Sequence, residues 1–227
     1  SIAVLRLSVT IDEATYRDGA EIQLESIYAA MRAGKIPKTS QIQWEDAKEL
    51  FTSVAQSGDD IIFLAFSSAM SGTFNLANMV CTSIKEEYPD RHIAVIDSKG
   101  GSMGTGLIAI QLGMMNEKGA SYDELLSWGL WMAEHVKYAF TIDDLSCAIR
   151  GGRVLARAAG SFADMLDVKP LMDVKNGMLH VVKFVRGSTR SLIAVADLVA
   201  SYASGFQRQI IGLTHADDPK RAEQMKS

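Results

Sequence analysis

The residues best equipped for chemistry form the run Ser67-Ser68-Ala69-Met70-Ser71-Gly72-Thr73, with four hydroxyls in seven positions. The run separates an apolar stretch, residues 60–66, from an amphipathic one, residues 74–85. That order reads as strand, turn and helix, and it makes Ser71 the expected helix N-cap. The unpaired N–H groups of Gly72, Thr73 and Phe74, the helix dipole and the hydroxyls together favour a carboxylate or phosphate. Gly72 removes a side chain that would hinder close approach. An ordinary serine cap accounts for the same residues, and composition leaves the two readings nearly level. Thr39-Ser40-Gln41 precedes a second helical stretch in the same way, and there capping alone is sufficient.

Other polar groups give less. Asp97-Ser98 closes an apolar run before Gly101-Ser102-Met103-Gly104-Thr105-Gly106. That spacing is not G-x-G-x-x-G and lacks the Lys-Ser/Thr of a phosphate loop, so Gly104 and Gly106 read as sites of close helix packing. Arg150-Gly151-Gly152-Arg153 presents two guanidinium groups suited to bidentate carboxylate or phosphate contact, or else a solvated helix end. Lys183, Arg186 and Arg190 form a second basic cluster, for which an ordinary wet face is the simpler reading. His92, His135, His180 and His215 have no metal-ligand spacing. His215, in Thr214-His215-Ala216, is the one placed at an expected strand end. No nucleophile–base pairing announces an enzyme.

Composition sets the limits around these candidates. The chain has 227 residues, formal charge -4 and 22% charged residues, an ordinary globular balance without a basic face or aromatic platform for nucleic acid. Cys81 and Cys147 lie far apart and read as two small buried hydrophobes in a reduced compartment, although a disulfide stays open. No apolar run reaches the roughly 18 residues of a membrane span, and no signal peptide opens the chain; a cytoplasmic protein is expected.

The elements that must hold these residues alternate. Strands are expected at residues 2–9, 60–66, 92–96 and 138–142. Helices are expected at 22–32, from Trp44 to Gly58, and at 74–85 and 102–117. Another follows Ser121, whose pairing with Glu124 marks a capping box. Repeated strand–turn–helix units imply right-handed crossovers, a mainly parallel sheet, and ligands at the strands' carboxyl ends. Both polar turns, 67–73 and 97–102, fall there. After Arg150 the pattern changes: a helix at 156–166, then a hairpin of 168–174 and 178–185 about Asn176-Gly177, a type I′ signal. A helix at 188–202, a strand at 209–214 and a last helix from Pro219 complete the reading. The expected domains are 1–141, α/β, and 142–227, α+β with antiparallel strands.

Taken in order, several segments resemble the DegV family of bacterial fatty-acid-binding proteins. They are Tyr16-Arg17-Asp18-Gly19, Lys38-Thr39-Ser40-Gln41, the S-x-x-x-S-G-T run ending at Thr73, Asp97-Ser98, Arg150-Gly151-Gly152-Arg153, Lys169-Pro170-Leu171, residues 183–186 and His215-Ala216. The resemblance implies a two-domain fold with a long-chain fatty acid buried between the domains and no cofactor. It assigns the carboxylate to Thr39 and Ser71 beside Gly72, and functional arginines to Arg153 and Arg186. It implies a ligand-presenting subunit, without turnover of its own, that hands the acid to a separate fatty-acid kinase for acyl-phosphate formation. A phosphotransferase of a related α/β kinase system is the alternative, and a docking module using Lys183 and Arg186 a third reading. By the family's pattern a strand before Ser1 and further strands after Ser227 are expected to be missing, and Ala69-Met70 departs from the usual residues between the serines.

Overall fold

A computed structural model describes residues 2–143, 145–154 and 167–226 of the chain. Three short strands, β1 (Ser8–Ile11), β2 (Ala14–Arg17) and β3 (Lys38–Ser40), form an antiparallel sheet in the order β2-β1-β3. The β1–β2 turn needs only Asp12 and Glu13, since Ile11 pairs with Ala14. Asp12 takes φ 56, a left-handed conformation that Asp tolerates better than most residues. The sequence places a strand at 2–9; the ladder starts at Ser8, while Leu5 and Leu7 still pack on the core. Strands β2 and β3 escape the sequence reading because they are short, polar edge strands whose sequences alternate weakly. Lys38-Thr39-Ser40 is thus strand, not helix cap, with Thr39 opposite Val9.

The central layer is a parallel pair, β4 (Ile61–Ala65) and β5 (Ile93–Asp97), whose apolar sequences are covered on both faces. Helices α1 (Leu24–Arg32), α2 (Trp44–Gln56), α3 (Thr73–Glu87), α4 (Ser102–Glu117) and α5 (Tyr122–His135) surround these sheets. Ala47, Phe51, Val80, Ile84 and Ile93 form one core; Ile96, Ile108, Leu112 and Ala133 form another across the pair. The expected capping box is present: Ser121 Oγ accepts from the Glu124 N–H, and the Glu124 carboxylate accepts from the Ser121 N–H.

The remaining strands, β6 (Phe140–Thr141), β7 (Val168–Lys175) and β8 (Met178–Arg186), form an antiparallel sheet in that order. Asn176 at φ 52 and Gly177 at φ 76 make the two-residue turn that Asn-Gly predicts. Helices α6 (Ser146–Arg150), α7 (Ser188–Ala203) and α8 (Pro219–Gln224) accompany it. Leu171, Met172, Ala194 and Val195 are buried there, in clusters that share no residue with the earlier ones.

Two expectations for this half come out differently. Residues 209–214 form no strand; Ile210 and Ile211 are about two-thirds exposed, at 63% and 67%, and no ladder among the described residues receives them. The helix expected at 156–166 lies outside the described residues.

Candidate functional site

The turn at residues 67–73 begins two residues beyond the carboxyl end of β4, where the strand order places ligand-accessible loops. Its geometry radiates from Ser67, which is fully buried. The Ser67 N–H donates to the Gly100 carbonyl at 2.9 Å, and the Ser67 carbonyl accepts from Met70 and Ser71 N–H, both at 3.0 Å. Ser67 Oγ donates to the Gly177 carbonyl at 2.7 Å. Asp97, the last residue of β5, accepts from the Ser68 N–H at 3.1 Å and from the Ser68 hydroxyl. The two neighbouring strand ends are therefore tied through their polar turns.

Ser71 is not the helix N-cap; Gly72 holds that position, in right-handed helical conformation and without a side-chain cap. The Ser71 hydroxyl accepts from the Thr73 N–H at 3.2 Å and lies 3.0 Å from Thr73 Oγ1. It sits one residue ahead of the cap, half-buried, with its proton given to Thr73 Oγ1 and one lone pair open, so a carboxylate there would have to draw that proton from Thr73. Gly72 itself is exposed, and a Cβ added there would overlap the Gln41 carboxamide. The end of β3 and the Ser71 turn thus meet, although 31 positions separate Gln41 from Gly72. Gln41 is a contact that sequence reasoning missed; its only signal was its place in Thr39-Ser40-Gln41.

The second polar turn, residues 97–102, is closed. Added Cβ atoms at Gly100 and Gly104 would run into the Tyr138 ring, and one at Gly101 into Phe66. The Ser98 hydroxyl is buried and donates to the Gly100 carbonyl at 3.1 Å, while Thr105 Oγ1 donates to Ser98 Oγ. The Tyr138 hydroxyl has no well-formed hydrogen bond there, and burial raises its pKa against the nearby Gly101 N–H. Rings fill the space that a phosphate would need. Of the two glycines expected to serve packing, Gly104 does so; Gly106 meets only Met103 of its own helix, at 3.7 Å.

The basic candidates stand elsewhere. Arg153 Nη1 donates to its neighbour Gly151 at 2.7 Å, and Arg186 is exposed at the end of β8. Neither bonds to the 67–73 turn among the described residues. His215 Nδ1 accepts from the Asp218 N–H at 3.2 Å, a local role ahead of α8. Cys81 is a buried free thiol whose pKa burial raises, and nothing is described of the Cys147 side chain. No cluster of potential metal ligands occurs among the described residues, and no described helix is long and apolar enough to cross a membrane. Two open hollows, of about 460 Å³ beside Ile11 and Lys35 and about 420 Å³ beside Gln56 and Arg91, lie away from the Ser71 turn.

Comparison with known proteins adds an independent line. The profile of a family described as "Uncharacterised protein, DegV family" matches residues 1–227. A DegV domain-containing protein of Clostridium perfringens is 32% identical over 225 residues, 98% of this chain and 77% of that one. The crystal structure of a stearic-acid-binding protein from Eubacterium ventriosum is similar at TM-score 0.80 and 27% identity, over 89% of this chain and 70% of that one. The Streptococcus pneumoniae fatty acid kinase (Fak) B3 protein, solved with linoleic acid, superposes at TM-score 0.83 over 98% of this chain and 77% of that one. Its identity is 20%, so that likeness is one of fold.

Proposed function

The chain belongs to the DegV family, and on that premise we propose that it binds a long-chain fatty acid, with the carboxylate held by Ser71 and Thr39 beside Gly72. The observation that carries the reading is the meeting of the Thr39-Ser40-Gln41 strand end with the Ser71-Gly72 turn. Two polar segments remote in sequence converge where helix α3 begins, and its N-terminal N–H groups add positive potential. The stearic-acid-binding relative, at 27% identity, supports the same ligand class.

The energetics favour an acyl chain with a hydrogen-bonded head. Burying a dozen methylenes at about 0.8 kcal/mol each supplies roughly 10 kcal/mol, enough to offset the ordering costs of binding. A carboxylate brought into the same site must receive hydrogen bonds or take up a proton. The Thr39 hydroxyl can donate, and the Ser71 hydroxyl can do so by turning its proton from Thr73 Oγ1 to the ligand.

Further, we take residues 1–141 and 142–227 as two domains with the acyl chain between them, working in the cytoplasm. The protein presents the acid to a separate kinase, with Arg153 and Arg186 as contacts for that partner or its phosphate. The exposure of Arg186 at a strand end supports a docking role. Organic extraction or native mass spectrometry of the purified protein tests the ligand. Release of a C14–C18 acid, lost in the Ser71→Ala/Thr39→Ala variant, is the expected result; equal retention by both proteins contradicts the assignment. For the kinase step, Arg186→Ala should retain the acid and lose acyl-phosphate formation with the partner, and unchanged turnover removes Arg186 from that role.

A further inference from the structure

Ser67 joins three things at once. Its carbonyl fixes the Ser71 and Met70 N–H groups, its own N–H is fixed by Gly100, and its hydroxyl holds the carbonyl of Gly177. Gly177 is the tip of the β7–β8 hairpin, and it belongs to a sheet that shares no strand pairing with β1–β5. The approach is close: a Cβ on Gly177 would lie 2.6 Å from Ser67 Oγ and 3.2 Å from the Ala69 Cβ. Because Ser67 is wholly buried, its bond to the hairpin is shielded from water, and breaking it strands a buried carbonyl. The hairpin tip has few ways to move without moving Ser67, and Ser67 has few ways to move without moving the backbone of Ser71.

We propose that the Asn176-Gly177 tip is a latch on the ligand site, with Ser67 as the positioning residue that couples the antiparallel sheet to the Ser71 turn. This rests on the reading of Ser71 as a carboxylate ligand. With the latch engaged, the Ser71 hydroxyl is held in its binding position and the acid leaves slowly. With the tip withdrawn, the turn loses its side-chain anchor, and the carboxylate loses its oriented donor. Ligand occupancy and engagement of the tip are therefore reciprocal, as linkage requires of two coupled equilibria.

The test uses the full chain, stripped of lipid and reloaded with oleate, with dissociation followed by transfer to excess albumin. Ser67→Ala should release oleate about tenfold faster, the factor that corresponds to about 1.4 kcal/mol. Ser191→Ala is the control, since Ser191 is also fully buried and bonds a carbonyl, that of Ser188 within its own helix turn. It should leave the release rate within twofold. Gly177→Ala, strained both by its φ of 76 and by the Ser67 hydroxyl, should accelerate release in wild type and do so much less in the Ser67→Ala background, where the bond that carries the strain to the Ser71 turn is already gone. Equal release from the Ser67→Ala and Ser191→Ala proteins, or additive effects of the pair, overturns the latch. Should Ser67→Ala fail to fold, amide exchange in wild type decides: loading with oleate should slow exchange at residues 176–178, and an unchanged rate overturns the coupling. Failure of wild type to take up oleate overturns the underlying reading instead, and the latch with it.

Discussion

Two turns occupy equivalent places in this fold, at the carboxyl ends of neighbouring parallel strands, and both are rich in serine and glycine. They differ in what fills them. At the 97–102 turn the Phe66 and Tyr138 rings lie against Gly100, Gly101 and, in the helix that follows, Gly104, and Ser98 spends its hydroxyl on a local carbonyl. In the 67–73 turn, Gly72 faces the carboxamide of an exposed Gln41 in place of a ring, and Ser71 keeps a lone pair beyond Thr73. Composition alone makes them look alike; the aromatic rings make one a packing joint and leave the other open, as the proposed binding role requires.

The largest expected effect fills the joint that closes the 97–102 turn, at Gly104 just beyond it in helix α4. Gly104→Ala forces a Cβ into the Tyr138 ring, and overpacking of that kind costs about 1–3 kcal/mol. For a chain of this length the melting temperature should fall by roughly 2–12 °C at ~2–4 °C per kcal/mol, read by calorimetry. An unchanged melting temperature would show that the ring has room to move. Ligand affinity of the folded fraction should stay near wild type.

The reciprocal change is of similar size and is read in affinity instead of stability. Ser71→Ala removes one hydrogen bond to a charged head, worth about 1.5–3 kcal/mol, so oleate affinity should drop by at least about tenfold. Stability should shift by less than about 1 kcal/mol, because Ser71 is not the N-cap and is only half-buried. Ser98→Ala should do the opposite, costing about 1 kcal/mol of stability through a buried hydrogen bond and leaving oleate titrations unchanged. If Ser98→Ala weakens oleate as much as Ser71→Ala does, the contrast between the turns is wrong.

The smallest effect lies outside both turns and serves as a reference. Arg221, with Lys169, holds the Asp143 carboxyl down to about 2, below its ordinary 3.8. A depressed carboxylate contributes stability that is present above its unfolded value and lost as pH falls through the folded one. Denaturant titrations should therefore show a loss between about pH 4 and pH 2 that is smaller in Arg221→Ala. An identical pH dependence in the variant would remove this pair from the acid response, and oleate binding near neutral pH should not depend on it.

Periodic apolar stretches made β4, β5 and the helices around them legible in the sequence, and Asn176-Gly177 announced its turn. The short polar strands β2 and β3 were not legible, because a three- or four-residue edge strand carries little hydrophobic pattern of its own. At residues 209–214 the reverse holds: Ile210 and Ile211 supply the pattern, and no neighbouring strand among the described residues completes it. The site divides in the same way. Hydroxyls at 67–73 were visible as a candidate, and the family resemblance singled out Thr39. The Gln41–Gly72 meeting and the Ser67–Gly177 bond were not visible, since each joins residues 31 and 110 positions apart through contacts that only the folded chain creates.

The central claim is that the Ser71 turn holds a carboxylate, and carbon-13 NMR of palmitate labelled at its carboxyl carbon reads that contact directly. The account predicts a bound carboxyl resonance distinct from free palmitate, displaced by Ser71→Ala and again by Thr39→Ala, and unmoved by Ser98→Ala. A bound resonance that is the same in wild type and in the Ser71→Ala/Thr39→Ala protein would contradict it.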